Sequence, residues 1–311
     1  MSRATRSFSF LVNPASGGGA APEAVVPVAR LLREAGATVD VTYSPGPRAM
    51  AGLVDAAVAR GDVVVSVGGD GMLSSLAGAV STAGGTLAVL PAGRGNDFAR
   101  MLGLPEPGDA EALARVLLEG TARRVDLVSW SRPGADPRRV AGSVYAGIDA
   151  RAGELVDRAH RLPRQLQYPS AAVRAIAGYR PARLRVDVDG DRRDYDAACV
   201  VVANSAYYGK GMKIAPTAVL DDGLLEVVVI EAASKRSLLR SLPTVYDGRH
   251  VDRPEVTVLR GKRIELAADT PAAAGLPVGG DGEPLGHLPR LGSATGPAVV
   301  EVLPAALAVL A

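Results

Sequence analysis

Three times before residue 100, an apolar run of strand length stops at a glycine-rich bend and gives way to a helical pattern. The run Asp62 to Met72, DVVVSVGGDGM, breaks at Gly68-Gly69-Asp70-Gly71. Glycine has no Cβ to hold the backbone away from a bulky anion, and it reaches the left-handed conformations that turn successive N–H groups into one concavity. A carboxylate in such a bend is repelled by phosphate unless it holds a Mg2+ or takes a proton from an attacking group, and both roles belong to phosphoryl transfer. Taken singly, the bend is equally a tight turn between a strand and a helix.

Repetition separates the two readings. Ser7 to Pro14, SFSFLVNP, leads into Asn13-Pro14-Ala15-Ser16 and Gly17, Gly18 and Gly19, followed by an apolar helix pattern through Val25, Val28, Leu31 and Leu32. Thr86 to Leu90, TLAVL, leads into Pro91-Ala92-Gly93-Arg94-Gly95-Asn96-Asp97, where Asn96 or Asp97 can cap the helix that starts at Phe98. Right-handed βαβ crossovers bring parallel strand ends to one sheet edge, so bends far apart in sequence can meet at one nucleotide or phosphate. Two other phosphate motifs fit badly. The Gly209-Lys210 pair that a P-loop would need is followed by Gly211 and lies far downstream, and Gly93-Arg94-Gly95 lacks the third glycine of a dinucleotide fingerprint. Hydride transfer therefore yields to kinase chemistry.

NPASGG at Asn13 to Gly18, VGGDGM at Val67 to Met72, PAGRGNDFAR at Pro91 to Arg100, APTAVLDDGLLEV at Ala215 to Val227 and DGE at Asp281 to Glu283 follow one another in order. They resemble the signatures of the diacylglycerol kinase catalytic family, which includes bacterial soluble lipid kinases of the YegS type and sphingosine kinases and is related to NAD kinases. The resemblance runs from Ser7 to about Val309. It implies an α/β, Rossmann-like and NAD kinase-like nucleotide-binding domain over residues 1–125, a mostly antiparallel β-sandwich lipid-substrate domain over 126–298, and a tail, 299–311, that returns to the first domain. It implies ATP and Mg2+ as cofactors. The expected nucleotide-binding residues are Asn13, Pro14, Ser16, Gly17, Ser44, Gly68, Gly69, Asp70, Gly71, Met72, Gly93, Arg94, Asn96 and Asp97. Met72 and Arg94 stand where the family has threonine; the arginine offers charged donors to phosphate in place of a hydroxyl, or else occupies the nucleotide's place.

Two acidic clusters lie further on. Asp221-Asp222-Gly223-Leu224 is a turn by composition. The resemblance adds a structural Mg2+ there, held by the Asp222 carboxylate and the carbonyls of Val219 and Leu224, a set suited to a hard cation. Gly279-Gly280-Asp281-Gly282-Glu283 reads either as a hairpin turn or as acids facing the nucleotide across a cleft that admits the lipid. On the second reading Asp281 and Glu283 position Mg-ATP and activate the lipid hydroxyl, with Asp70 the rival proton acceptor.

Lys+Arg is 35 against Asp+Glu 33, a net charge of +2 that predicts no nucleic-acid partner. Cys199 is alone, so no intrachain disulfide forms and a cytoplasmic location is expected; its setting, AACVVVAN, is that of a buried strand, and Trp130 likewise reads as core. No apolar run approaches bilayer length, and the N-terminus lacks a signal-peptide core. A lipid acceptor would then be reached peripherally, at the inner membrane face.

From Val125 onward short β patterns dominate: RRVDLVSW, VYAGI, ARLRVDVDG, AACVVVAN, LLEVVVIE, RIELAA and VVEVLP, with a turn at Asp189-Gly190-Asp191 and helices near 150–159, 170–177 and 235–242. Arg151, Arg158, Arg161, Arg164, Arg174, Arg180 and Arg183, interleaved with Leu155, Leu162, Leu166, Tyr168, Val173 and Ile176, form either a solvated face or a dock for anionic headgroups. The expected activity is transfer of phosphate from ATP to a lipid hydroxyl, with diacylglycerol the leading acceptor and a sphingoid base, another long-chain alcohol or NAD as alternatives. A nucleotide- and lipid-binding protein with little turnover is the alternative of a different class, motivated by Met72 and Arg94, and a homodimer is a further expectation.

Overall fold

The computed structural model describes residues 6–44, 46–93, 95–158, 164–271 and 275–311. The chain divides into two compact units, Met1–Leu127 with Pro304–Ala311 and Val128–Leu303.

In the first unit, β1 (Ser7–Val12), β2 (Thr38–Tyr43), β3 (Val63–Gly68) and β4 (Thr86–Pro91) form a parallel sheet in the order β2-β1-β3-β4. The helices α1 (Ala21–Glu34), α2 (Pro47–Ala59), α3 (Asp70–Ala83), α4 (Asp97–Met101) and α5 (Ala110–Glu119) join or follow these strands. All but the first residue of β1, β3 and β4 is buried, as their unbroken apolar runs demand of strands covered on both faces. The edge strand β2, TVDVTY, has no buried residue. Phe8, Phe10, Val12, Val65, Val67 and Leu90 pack with Val25, Val28 and Leu32 of α1 and with Leu113 and Leu117 of α5. Each such side chain contributes about 1.5–3 kcal/mol by leaving water. With every strand parallel, the C-terminal ends of β1, β3 and β4 share one edge, and all three glycine bends follow from it.

The second unit is antiparallel. Its strands are β5 (Ala122–Ser131), which enters from the first unit, β6 (Arg138–Val140), β7 (Ser143–Gly147), β8 (Ala182–Val188), β9 (Asp191–Ala203), β10 (Leu225–Glu231), β11 (Val256–Gly261), β12 (Arg263–Asp269), β13 (Pro277–Gly280), β14 (Glu283–His287) and the start of β15 (Ala298–Leu310). Three helices accompany them: α6 (Ile148–Arg158), α7 (Arg164–Ala177) and α8 (Lys235–Asp247). One long strand serves both layers of the sandwich. The first half of β9 pairs with β8, and its second half, Cys199 to Ala203, runs between β7 and β10. The β8–β9 turn is Asp189-Gly190, both at positive φ (52° and 95°), the backbone of a two-residue hairpin. Trp130, Leu184, Val186, Val200, Val202, Val227, Ile264 and Val300 fill the interior, and Cys199 is buried in β9. Sequence patterning misses β11, because that edge strand is half exposed and its alternation is weak. Past Leu303, β15 runs into the first unit, where Ala308 and Val309 pair in parallel with Thr86 and Leu87 of β4.

Candidate active site

The three bends of the first unit touch one another. The Ser16 hydroxyl donates to the Ala92 carbonyl at 3.1 Å, and a Cβ on Gly17, whose φ is +60°, would stand 2.7 Å from that same oxygen. A Cβ on Gly93 would stand 2.4 Å from the Gly69 Cα, so the approach requires glycine at position 93, whereas a Cβ on Gly69 would make ordinary contact at 3.6 Å. The Asn13 N–H donates to Val67 O at 3.0 Å, and the Ala92 N–H to Gly68 O at 3.3 Å. Asp70 opens α3 and turns its carboxylate sideways, where Oδ1 accepts the N–H groups of Asp97 at 2.9 Å and Phe98 at 3.4 Å. Asp70 thereby fixes the third bend against the second.

Asn96 differs from its expected role as a side-chain cap. It occupies the N-cap position of α4 at φ 53°, but its Oδ1 accepts the Gly93 N–H at 2.9 Å and its Nδ2 donates to Gly93 O at 3.3 Å, so it braces its own bend. Asp97 is buried beneath it. The Met72 thioether lies over Gly68, and a Cβ there would be 2.9 Å from the sulfur. Ser44 stands at the same sheet edge through its N–H to Val12 O, 2.7 Å, while its hydroxyl faces its own loop, 3.4 Å from Met50 Sδ. Pro14 is exposed beside Asn13. Arg94 lies outside the described residues. Glycines without Cβ shielding and the N-terminus of α3 beside them are elements from which phosphate sites are made.

The β13–β14 hairpin turns on Asp281 (φ 45°) and Gly282 (φ 89°). Asp281 Oδ2 accepts the N–H groups of Ala141 and Gly142, and Oδ1 that of Ser143, each at 2.9 Å. Three consecutive N–H groups around one carboxylate are an anion nest built from the protein's own acid. Gly142 belongs to it by necessity, since a Cβ there would be 2.7 Å from Asp281 Oδ1. Asp281 is thus committed to holding this loop, whereas Glu283 is exposed. Beneath the turn, the buried Tyr145 hydroxyl accepts the Gly282 N–H at 3.1 Å, and its ring packs 5.5 Å from that of Tyr208. Burial, reinforced by the nearby carboxylates, raises the Tyr145 pKa well above the usual phenol range. Asp149, at the start of α6, is half-buried as a residue but has its carboxylate enclosed, with the Cys199 thiol and the Tyr208 hydroxyl bonded to it; desolvation outweighs those bonds and raises its pKa, and burial raises that of Cys199. Gly142, Tyr145, Asp149 and Tyr208 carry no motif in the sequence.

The second unit also holds a cavity of about 520 Å3. Ile148, Leu155, Ala175, Ala198, Leu276 and Pro277 give it apolar walls, and Arg151, Arg174, Arg180 and His287 line it as exposed polar side chains. Within the expected arginine cluster, Arg151 pairs with Glu154 at 2.5 Å and Arg183 lies 3.9 Å from Asp194. Leu155 and Ile176 are buried and Val173 is 48 % exposed, so the apolar members divide between core and surface. Arg161 and Leu162 lie outside the described residues, as do the side chains of Arg158, Arg164, Leu166 and Tyr168. Among the described residues no helix is long and apolar enough to cross a membrane.

The Asp222 turn does not fit the metal that the resemblance implies. Asp222 Oδ1 accepts the Leu224 N–H at 3.0 Å and Oδ2 is ion-paired with Arg260, so its carboxylate already has a cation. Val219 and Leu224 would offer only backbone carbonyls, so Asp222 is the one charged ligand of the expected set.

Comparison with known proteins agrees with this fold. Residues 7–130 match the diacylglycerol kinase catalytic domain, and residues 142–311 match the YegS C-terminal NAD kinase beta sandwich-like domain. The diacylglycerol kinase of Mycobacterium tuberculosis (strain ATCC 25618 / H37Rv) is 30 % identical over 302 residues, 96 % of this chain and 93 % of the relative. That of Bacillus subtilis (strain 168) is 25 % identical over 244 residues, covering 76 % and 75 %. The crystal structure of a diacylglycerol kinase from Bacillus anthracis str. Sterne superposes with a TM-score of 0.71 over 99 % of this chain and 97 % of that one; at 16 % identity it speaks for the fold alone. Converging phosphate-type bends, the two-unit fold and these matches lead to one conclusion: the chain belongs to the diacylglycerol kinase catalytic family and is an ATP-using phosphotransferase with a YegS-type second domain.

Proposed function

We propose that this kinase transfers the γ-phosphate of ATP to the hydroxyl of diacylglycerol, giving phosphatidic acid. The observation that carries the proposal is the mutual contact of the three bends through Gly17 with Ala92, Gly69 with Gly93, and Asp70 with Asp97. Their N–H groups bind the phosphates, and Arg94 adds charge to the γ-phosphate. Mg2+ enters with ATP, as part of the substrate, and supplies charge neutralisation at the transferring phosphoryl group. The acceptor oxygen forms a bond to the γ-phosphorus as the bond to the β-phosphate oxygen breaks, ADP leaves, and the hydroxyl proton passes to a carboxylate. Glu283 takes that proton in this reading, because Asp281 is engaged by three N–H groups and Asp70 by two.

A lipid acceptor is supported by the second unit's cavity. Its volume lies in the range of small-ligand sites, and its apolar walls suit an acyl chain. Arg174 and Arg180, exposed at this cavity, are the groups we assign to anionic headgroups when the enzyme works peripherally at a membrane. The test is transfer of label from γ-labelled ATP across a panel of diacylglycerol, a sphingoid base, a long-chain alcohol and NAD. Label on diacylglycerol is expected. Preference for another acceptor would reassign the substrate, and absence of transfer to all four would sink the catalytic reading.

A further inference from the structure

Glu226 of β10 and Arg260 of β11 are direct cross-strand partners, and the register puts their side chains on one face. Arg260 Nε stands 2.9 Å from Glu226 Oε1, an ion pair whose N–H is not aligned as a hydrogen bond. The Glu226 side chain is 2 % exposed, and neither of its oxygens has a hydrogen-bond partner among the described residues. Arg260 also reaches with Nη2 to Asp222 Oδ2, whose other oxygen is held by the Leu224 N–H. One guanidinium therefore spans two carboxylates, one buried on the face of β10 opposite Leu225 and Val227 of the sandwich core and one 26 % exposed at the turn.

We infer that Arg260 is the resident cation of the Asp222 turn, so that the entry to β10 is built without the divalent metal implied by the family resemblance. A Mg2+ on Asp222 requires oxygen ligands in near-octahedral array, and here it would meet a guanidinium already on that carboxylate. Displacing the guanidinium gives no relief, because Glu226 still holds it nearby. A planar fork with five donors suits two separated carboxylates. The remaining negative charge sits on the side chain that faces water.

The test counts bound metal without nucleotide and without reading kinase activity, so its outcome is independent of the proposed function. Mn2+ binding to the purified protein, followed by electron paramagnetic resonance, is compared for wild type, Asp222→Asn and Arg260→Met. Wild type and Asp222→Asn are expected to bind the same number of ions. Arg260→Met is expected to lose about 5 °C or more in Tm, since a buried carboxylate loses its partner, and to regain part of it with Mg2+ as the vacated carboxylates take up the ion. One Mn2+ fewer in Asp222→Asn than in wild type overturns the inference, and so does an unchanged Tm in Arg260→Met. Should Arg260→Met fail to fold, the comparison of wild type with Asp222→Asn decides alone.

Discussion

Replacing Gly93 by alanine adds a single methyl group where the second and third bends meet. Its Cβ would lie 2.4 Å from the Gly69 Cα, 3.0 Å from Asn96 Oδ1 and 3.1 Å from the Gly69 nitrogen. Carbon atoms rest at about 3.5–4.0 Å, so the bends must part by roughly 1 Å or more. Overpacking of this kind costs about 1–3 kcal/mol, a fall in Tm on the order of 5 °C for a chain this size. The functional effect should be larger than the structural one, because a displacement of about 1 Å in a positioning element can cost on the order of 100-fold in rate. We expect kcat/KM for ATP, measured by coupled ADP release with lipid saturating, to fall by about that factor. Gly52→Ala is the control: Gly52 lies in α2 with nothing within 4 Å of its would-be Cβ, so neutral or slightly improved stability is expected. Wild-type ATP kinetics in Gly93→Ala would refute the idea that this contact shapes the phosphate site.

Asp281→Asn should destabilise the second unit by about 2–3 kcal/mol, because an amide must turn its own N–H groups toward at least one of the three backbone donors; an unchanged urea midpoint would count against the nest. Asp149 has a folded pKa raised by burial, so its contribution to stability is complete below the unfolded carboxyl pKa and is lost as pH rises through the folded value. Asp149→Asn should therefore flatten the decline of Tm as pH rises above the ordinary carboxyl range of about 4; parallel profiles for variant and wild type would contradict this. Glu283→Gln should lower kcat with diacylglycerol by about 100-fold or more while leaving KM for ATP nearly unchanged. Full activity in Glu283→Gln, with loss in Asp70→Asn, would move the proton acceptor to Asp70.

The parallel half of the fold was legible because its strands are buried on both faces and its glycines punctuate each βα turn, as the runs before Gly17, Gly68 and Gly93 show. The second unit was legible as antiparallel from patterns such as ARLRVDVDG, whose Asp189-Gly190 turn is the predicted one. The site was less so. Sequence grouped Asp281 with Glu283 as equivalent acids, but only coordinates reveal that one carboxylate is enclosed by N–H groups from residues about 140 positions earlier. Arg260 was invisible for the same reason: its partners lie 38 residues away for Asp222 and directly across a strand pair for Glu226, a proximity created by register alone. The cavity walls of Ile148, Ala175 and Leu276 are ordinary apolar residues with no local signature.

Amide hydrogen exchange of the purified protein with and without Mg-ATP, resolved by peptide, reaches the centre of this account. Exchange should slow together in the peptides containing Asn13 to Gly19, Gly68 to Met72 and Pro91 to Asp97. Slowing confined to a single bend, or appearing only in the second unit, would contradict the claim that the three bends bind one triphosphate.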